Sequence, residues 1–78
     1  MKHELKIEEP FYKAIVEGKK TFEIRYNDRG YNAGDTVELK VPGRSLPAIT
    51  ATIGYVTSYM QRENFVVFSL LNVECNSL

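Results

Sequence analysis

"EPFYKAIVEGKKTFEIRY", residues 9–26, decides the architecture, because its hydrophobic period changes halfway along. Phe11, Tyr12, Ile15 and Val16 fall at i, i+1, i+4 and i+5, one stripe of a 3.6-residue helix. Pro10 suits the first turn, where its missing N–H leaves no bond unmade. Gly18 suits the position just past the helix end. The spacing predicts a helix of about two turns between Pro10 and Glu17. From Thr21 the period becomes two: Phe22, Ile24 and Tyr26 share one face, and Thr21, Glu23 and Arg25 share the other. A short helix therefore runs directly into a strand.

Upstream, "HELKIE" (3–8) also alternates, with Leu5 and Ile7 on one face and Glu4 and Lys6 on the other, a half-buried strand. Downstream, "NDRGYNAGD" (27–35) is turn chemistry, with Gly30 and Gly34 supplying permissive backbone. "DTVELKV" (35–41) is a strand with Val37, Leu39 and Val41 inward, and "PGRSLP" (42–47) is a loop. "AITATIGYVTSY" (48–59) is a long strand with Ile49, Ala51, Ile53 and Tyr55 on one face and a bulge marked by Gly54. "MQREN" (60–64) is a turn, "FVVFSLLNV" (65–73) is apolar on both faces and reads as the most buried strand, and "ECNSL" (74–78) reads as a frayed end. The order β-α-β-β-β-β describes an α+β chain that is mainly β, with one or two short helices. About five strands in one domain, residues 1–78, imply a small curled sheet or barrel with the helix covering one end.

A chain of 78 residues builds one modest core, burying about 60% of its unfolded surface. Ten basic and ten acidic residues cancel, so nucleic-acid binding would need a local patch rather than a whole-molecule field. Cys75 is the lone cysteine; it cannot close an internal disulfide, and it reads as an incidental thiol in a reducing compartment. "MKHELKIEEP" has no apolar core, and no run is long enough to span a bilayer. The expectation is a cytoplasmic protein of a bacterium or a phage-infected host, with no membrane contact. With one histidine and no cysteine pair, neither a metal site nor a cofactor is expected.

The functional signal is the charge in "EGKKTFEIRYNDRG" (17–30). Glu23 and Arg25 are near neighbours on one face of their strand, and Lys20 sits at the helix-to-strand joint. A carboxylate beside a guanidinium stays ionised and can hold the fork at a fixed angle for a planar or anionic ligand. The same residues also fit the wet face of a half-buried strand, with an ion pair worth about 0–1 kcal/mol. Spacing alone leaves both readings open.

"GKKTFEIR" fills the pattern Gly-x-Lys-x-x-Glu-x-Arg with Gly18, Lys20, Glu23 and Arg25, and in this it resembles ASCH domains of the PUA-like superfamily. "HELKI", "EPFYKAIVEGKKTFEIR" and "NDRGYNAGDTVEL" look like the small ASCH-like proteins of phages and prophages, over about residues 2–41; "FVVFSLLNV" resembles the closing strand. The resemblance implies a small β-barrel with a helix near its mouth and a cleft lined by the motif, proposed in that family to bind RNA. It also implies an alternative, because some small relatives are amidohydrolases that deacylate N4-acetylcytidine with a Lys, a Thr three positions later and a later Glu. Here Lys20 matches, but Glu23 stands where the Thr would be, Thr21 adjoins Lys20, and Glu63 in "MQREN" is the stand-in for the later Glu.

The expected ligand-binding residues are therefore His3, Lys20, Glu23, Arg25, Asp28, Arg29 and Tyr31, for RNA or a nucleoside-like ligand. An enzyme would use Lys20, Glu23 and Thr21. His3 shares the face of Leu5 and Ile7 and is either packed or near the motif strand. Asn27, Asp28 and Arg29 form a turn, with Arg29 at the cleft rim against a phosphate in the functional reading. Tyr26 and Tyr55 fit inward positions, while Tyr31 either stacks on a base or caps the barrel end. Lys40 and Arg44 either extend a basic rim or are simply solvated. A third reading is a phage accessory protein that binds a host protein through the barrel surface.

Overall fold

The computed structural model describes residues 1–75, and its elements follow the periods of the sequence closely. They are β1 (Lys2–Lys6), α1 (Glu9–Val16), β2 (Phe22–Tyr26), β3 (Thr36–Lys40), β4 (Ile49–Thr57) and β5 (Phe65–Cys75). Pro10 lies in the first turn of α1, and Gly18 follows the helix with φ of 77°, a left-handed conformation that costs glycine little. Helix period and cap residues thus fix where α1 stops and leave Lys19 and Lys20 as the joint before β2.

The five strands form one mainly antiparallel sheet in the order β1-β3-β4-β5-β2, with β1 parallel to β3. Sequence neighbours β1 and β2 therefore occupy opposite edges. The sheet curls into a half-barrel that brings these edges within side-chain reach: Arg25 Nη2 donates to the Lys6 carbonyl at 2.8 Å, and Arg29 Nη1 to the Glu4 carbonyl at 3.1 Å. The core is built from the inward residues of β1, β3, β4 and β5 with Tyr12 and Ile15 of α1; Val37, Leu39 and Ile49 are fully buried. Burying a Leu or Ile of this kind is worth roughly 1.5–3 kcal/mol, which is large beside the stability of a small domain.

Ladder parity determines which backbone groups face the seam. The Leu70 N–H donates to the Thr21 carbonyl, and the Asn27 N–H to the Asn64 carbonyl, so Thr21, Glu23, Arg25 and Asn27 turn their backbones toward β5. Phe22, Ile24 and Tyr26 consequently turn theirs toward the free edge. On the other side the Ile7 N–H bonds to the Lys40 carbonyl, which leaves Glu4 and Lys6 of β1 facing the seam. There Arg25 and Arg29 cap two carbonyls that a closed barrel would pair in its ladder.

Five expectations are corrected. In β2 the apolar residues are not the inward ones: Phe22, Ile24 and Tyr26 are exposed, and Glu23 is only 4% accessible. The register explains this, since Glu23 lies opposite Phe68 and Arg25 opposite Val66, both on the inner face of β5, whereas Tyr26 lies opposite Phe65 on the outer face. Tyr55 is also exposed, because the ladder register shifts between Ile53 and Val56, where the bulge expected at Gly54 is found. β5 is not buried on both faces: Val66, Phe68 and Leu70 are buried, but the strand is exposed from Leu71 to Cys75. Within the helix stripe Tyr12 and Ile15 are buried, while Phe11 and Val16 are exposed. Of the "ECNSL" segment, Glu74 and Cys75 pair with β4 as part of β5, and residues 76–78 lie outside the described residues.

Candidate functional site

A cleft of about 630 Å³ opens where the β1–β2 seam widens beneath α1. Its walls are the Lys6–Glu8 segment with Phe11 on one side and the Phe22–Tyr26 strand on the other; Lys19 and Lys20 close the end. A volume in this range suits a small organic ligand. The charges lining it are Lys6, Lys19, Lys20 and Arg25 against Glu8 and Glu23, so a neutral chain carries a local positive excess here.

Glu23 is the centre of the cleft's charge network. One carboxylate oxygen accepts from Lys20 Nζ in a short ion pair, and the other accepts from Arg25 Nε at 2.9 Å. The Glu23 side chain is 5% exposed, and those of Lys20 and Arg25 are 17% and 22%. A carboxylate so deeply buried needs both partners, because an unpaired buried charge is costly. Each cation keeps donors to spare. Among the described residues Lys20 uses one of its three, and Arg25 is engaged through Nε and Nη2, with no bond from Nη1. Lys20 Nζ also lies 5.3 Å from the ring centroids of both Phe11 and Phe22, so two half-exposed aromatic rings flank the cation.

Lys20, Glu23 and Arg25 are thus brought together as the motif spacing implied. Arg29 sits at the far end of the seam on the Glu4 carbonyl, with Asp28 Oδ1 3.4 Å from its Nε, both exposed. Thr21 is exposed, and among the described residues no Ser or Thr hydroxyl bonds to Lys20 or Glu23. Glu63 is exposed in the β4–β5 turn and is not part of the cleft lining. Lys40 Nζ lies 3.5 Å from Glu38, and Arg44 pairs with Glu9, so neither lines the cleft.

His3 and Tyr31 stand outside the cleft. His3 is buried, with Nε2 2.8 Å from Asp35 Oδ2, and its ring meets that of Tyr31 edge-on at 4.8 Å. Tyr31 is 5% exposed and packs against Phe68 as well, so it cannot offer a face to a base; of its two expected roles, only the packed one is compatible with this burial. Burial also raises its phenol pKa. Asp35 accepts from the Asn32 N–H too, and the hydrogen bond from His3 is the main cause that holds its carboxyl below the usual range. Tyr12 donates to the Pro47 carbonyl at 2.7 Å and lies 3.4 Å from Cys75 Sγ; that thiol contact, followed by burial, pushes the phenol up to about 12.

Phe11, Phe22, Ile24 and Tyr26 are the apolar and aromatic cleft residues that sequence reasoning missed, together with Ile7 of the opposite wall. The available signal was β5: a strand apolar on both faces offers its outer face to an apolar partner, which is what Phe22, Ile24 and Tyr26 supply. Among the described residues no three His, Cys, Asp or Glu side chains converge as a metal site, and no helix is long and apolar enough to cross a membrane. A family model described as a domain of unknown function (DUF3850) matches residues 2–70. No curated protein matches the chain.

Proposed function

We propose, for a chain that belongs to the DUF3850 family of domains of unknown function, that the cleft binds RNA or a nucleoside-like ligand, in the manner the ASCH and PUA-like resemblance implies. In this reading the half-barrel is an ASCH-type scaffold whose seam is left open for the ligand. One observation carries it: two part-buried cations, fixed by a single buried carboxylate, converge on the floor of a cleft whose mouth holds two exposed aromatic rings. Lys20 and Arg25 present their spare donors to carbonyl or phosphate oxygens. Phe11 and Phe22 supply a surface on which a base stacks, a contact worth about 1–3 kcal/mol per base. Arg29 extends the line of cations toward the backbone of a longer strand. Each Glu23 oxygen accepts from one of the two cations, so in this reading Glu23 orients them.

Hydrolysis is the weaker reading. Covalent acyl transfer needs a hydroxyl within reach of its base, and among the described residues Lys20 bonds to the Glu23 carboxylate and to no Ser or Thr hydroxyl. The test is an NMR titration of the ¹⁵N-labelled chain at low salt with a short single-stranded RNA, then cytidine, then N4-acetylcytidine. Shifts concentrated at Lys20, Glu23 and Arg25 are expected. Consumption of N4-acetylcytidine would promote the enzyme, and silence toward all three ligands would overturn the binding proposal.

A further inference from the structure

We infer that the free backbone edge of β2 reads the base: the N–H and C=O of Ile24, with those of Phe22 beside them, form the hydrogen-bonding wall of the cleft. This deepens the nucleoside reading above and rests on it. The ladder to β5 uses the alternate residues, so the Phe22 and Ile24 groups point into the seam. Among the described residues no hydrogen bond to them is made from β1, and the hydrogen bonds across the seam are those of Arg25 and Arg29 to the Lys6 and Glu4 carbonyls. Both residues line the cleft. An unpaired strand edge is a ready template for any group that carries a donor and an acceptor side by side.

The chemistry of the edge selects the ligand class. On one extended residue the N–H donor and C=O acceptor point the same way, and they complement a planar group with an acceptor next to a donor. The Watson–Crick edges of nucleobases have this arrangement; a phosphate or a carboxylate has acceptors only. The cations therefore hold the oxygens of the ligand, while the β2 edge holds the base in the plane of the sheet. A base blocked at its ring nitrogen loses the donor and gains a methyl group that collides with the edge.

The experiment uses the labelled chain with uridine and with 3-methyluridine, which is equally neutral. Amide exchange is followed residue by residue alongside the chemical-shift titration. Uridine is expected to slow exchange at Phe22 and Ile24, and 3-methyluridine to bind about fivefold or more weaker, the value of one lost hydrogen bond. Ile24→Pro removes the seam-facing N–H without removing a ladder bond, and is expected to weaken uridine to a similar degree. If uridine shifts Lys20 and Arg25 but leaves exchange at both amides unchanged, the edge plays no part, while the nucleoside reading survives. If uridine shifts nothing, the nucleoside reading falls and this inference with it. Protection of both amides by an extended peptide, and by no nucleoside, overturns the assignment in favour of strand addition.

Discussion

β2 and β3 are both five-residue strands in which apolar and charged side chains alternate, yet they face opposite ways. In β3 Val37 and Leu39 are fully buried and the Glu38 side chain is part-buried on the opposite face, paired with Lys2 and Lys40. In β2 Glu23 is buried and Arg25 part-buried, while Phe22, Ile24 and Tyr26 are about half exposed. β3 lies inside the sheet between β1 and β4, where its apolar face meets the core. β2 lies at the edge, its register set by β5, and a shift of one residue would have turned Glu23 outward. The difference separates a strand that builds the fold from one that builds the cleft. The apolar face that β2 gives up is partly recovered against the outer face of β5, where Tyr26 and Phe65 meet edge-on at 5.5 Å.

Truncating each strand on its buried face separates the two roles. Leu39→Ala in β3 is expected to cost about 2–5 kcal/mol, as for other buried leucines, measured by urea unfolding. Glu23→Ala in β2 is expected to cost about 2 kcal/mol, less than a fully buried pair because Lys20 and Arg25 keep some contact with solvent. No loss in the Glu23 variant would mean that the charged face is solvated strand, and the two strands would then differ only in name.

A second buried carboxylate sharpens the contrast, since Asp35 serves the core rather than the cleft. Its carboxyl is held low, chiefly by the His3 hydrogen bond. A depressed folded pKa stabilises the fold above the unfolded Asp value of about 3.9, and that contribution disappears as pH falls through the folded value. Asp35→Asn is expected to lower Tm at neutral pH and to flatten its decline below about pH 4, followed by thermal unfolding across that range. An unchanged acid limb would remove Asp35 from the account. The smallest effect belongs to the exposed face of β2, where Ile24→Ser is expected to change stability by no more than about 0.5 kcal/mol.

Much of the fold is legible in the residues themselves. The change of period at Thr21, Pro10 and Gly18 fixed the helix, and alternation located β1, β3 and β4 because each has one face on the core. The facing of β2 was not legible, because a strict alternation of apolar and charged residues normally puts the apolar set inside, and only the pairing with β5 reverses it. Pairing across 39 to 47 positions leaves no local trace in "TFEIRY". The same limit applies to β1 and β2 meeting as opposite edges. The grouping of Lys20, Glu23 and Arg25 was legible, since the spacing is short and the family pattern singles it out. The interior places of His3 and Tyr31 were not, since they depend on Asp35 and Phe68, partners brought to them by the sheet.

β2 turns Glu23 and Arg25 inward, and in the proposed function this is what holds the ligand. The most direct test is the affinity of a short single-stranded RNA for the parent chain, for Lys20→Ala and Arg25→Ala, and for Tyr55→Ser on a strand that does not line the cleft. Binding by the parent chain is expected to fall about tenfold or more in each cation variant, as for the loss of a charge-assisted hydrogen bond of about 1.5–3 kcal/mol, and to be unchanged in Tyr55→Ser. Equal affinity in all four proteins, or no binding by the parent chain, would contradict it.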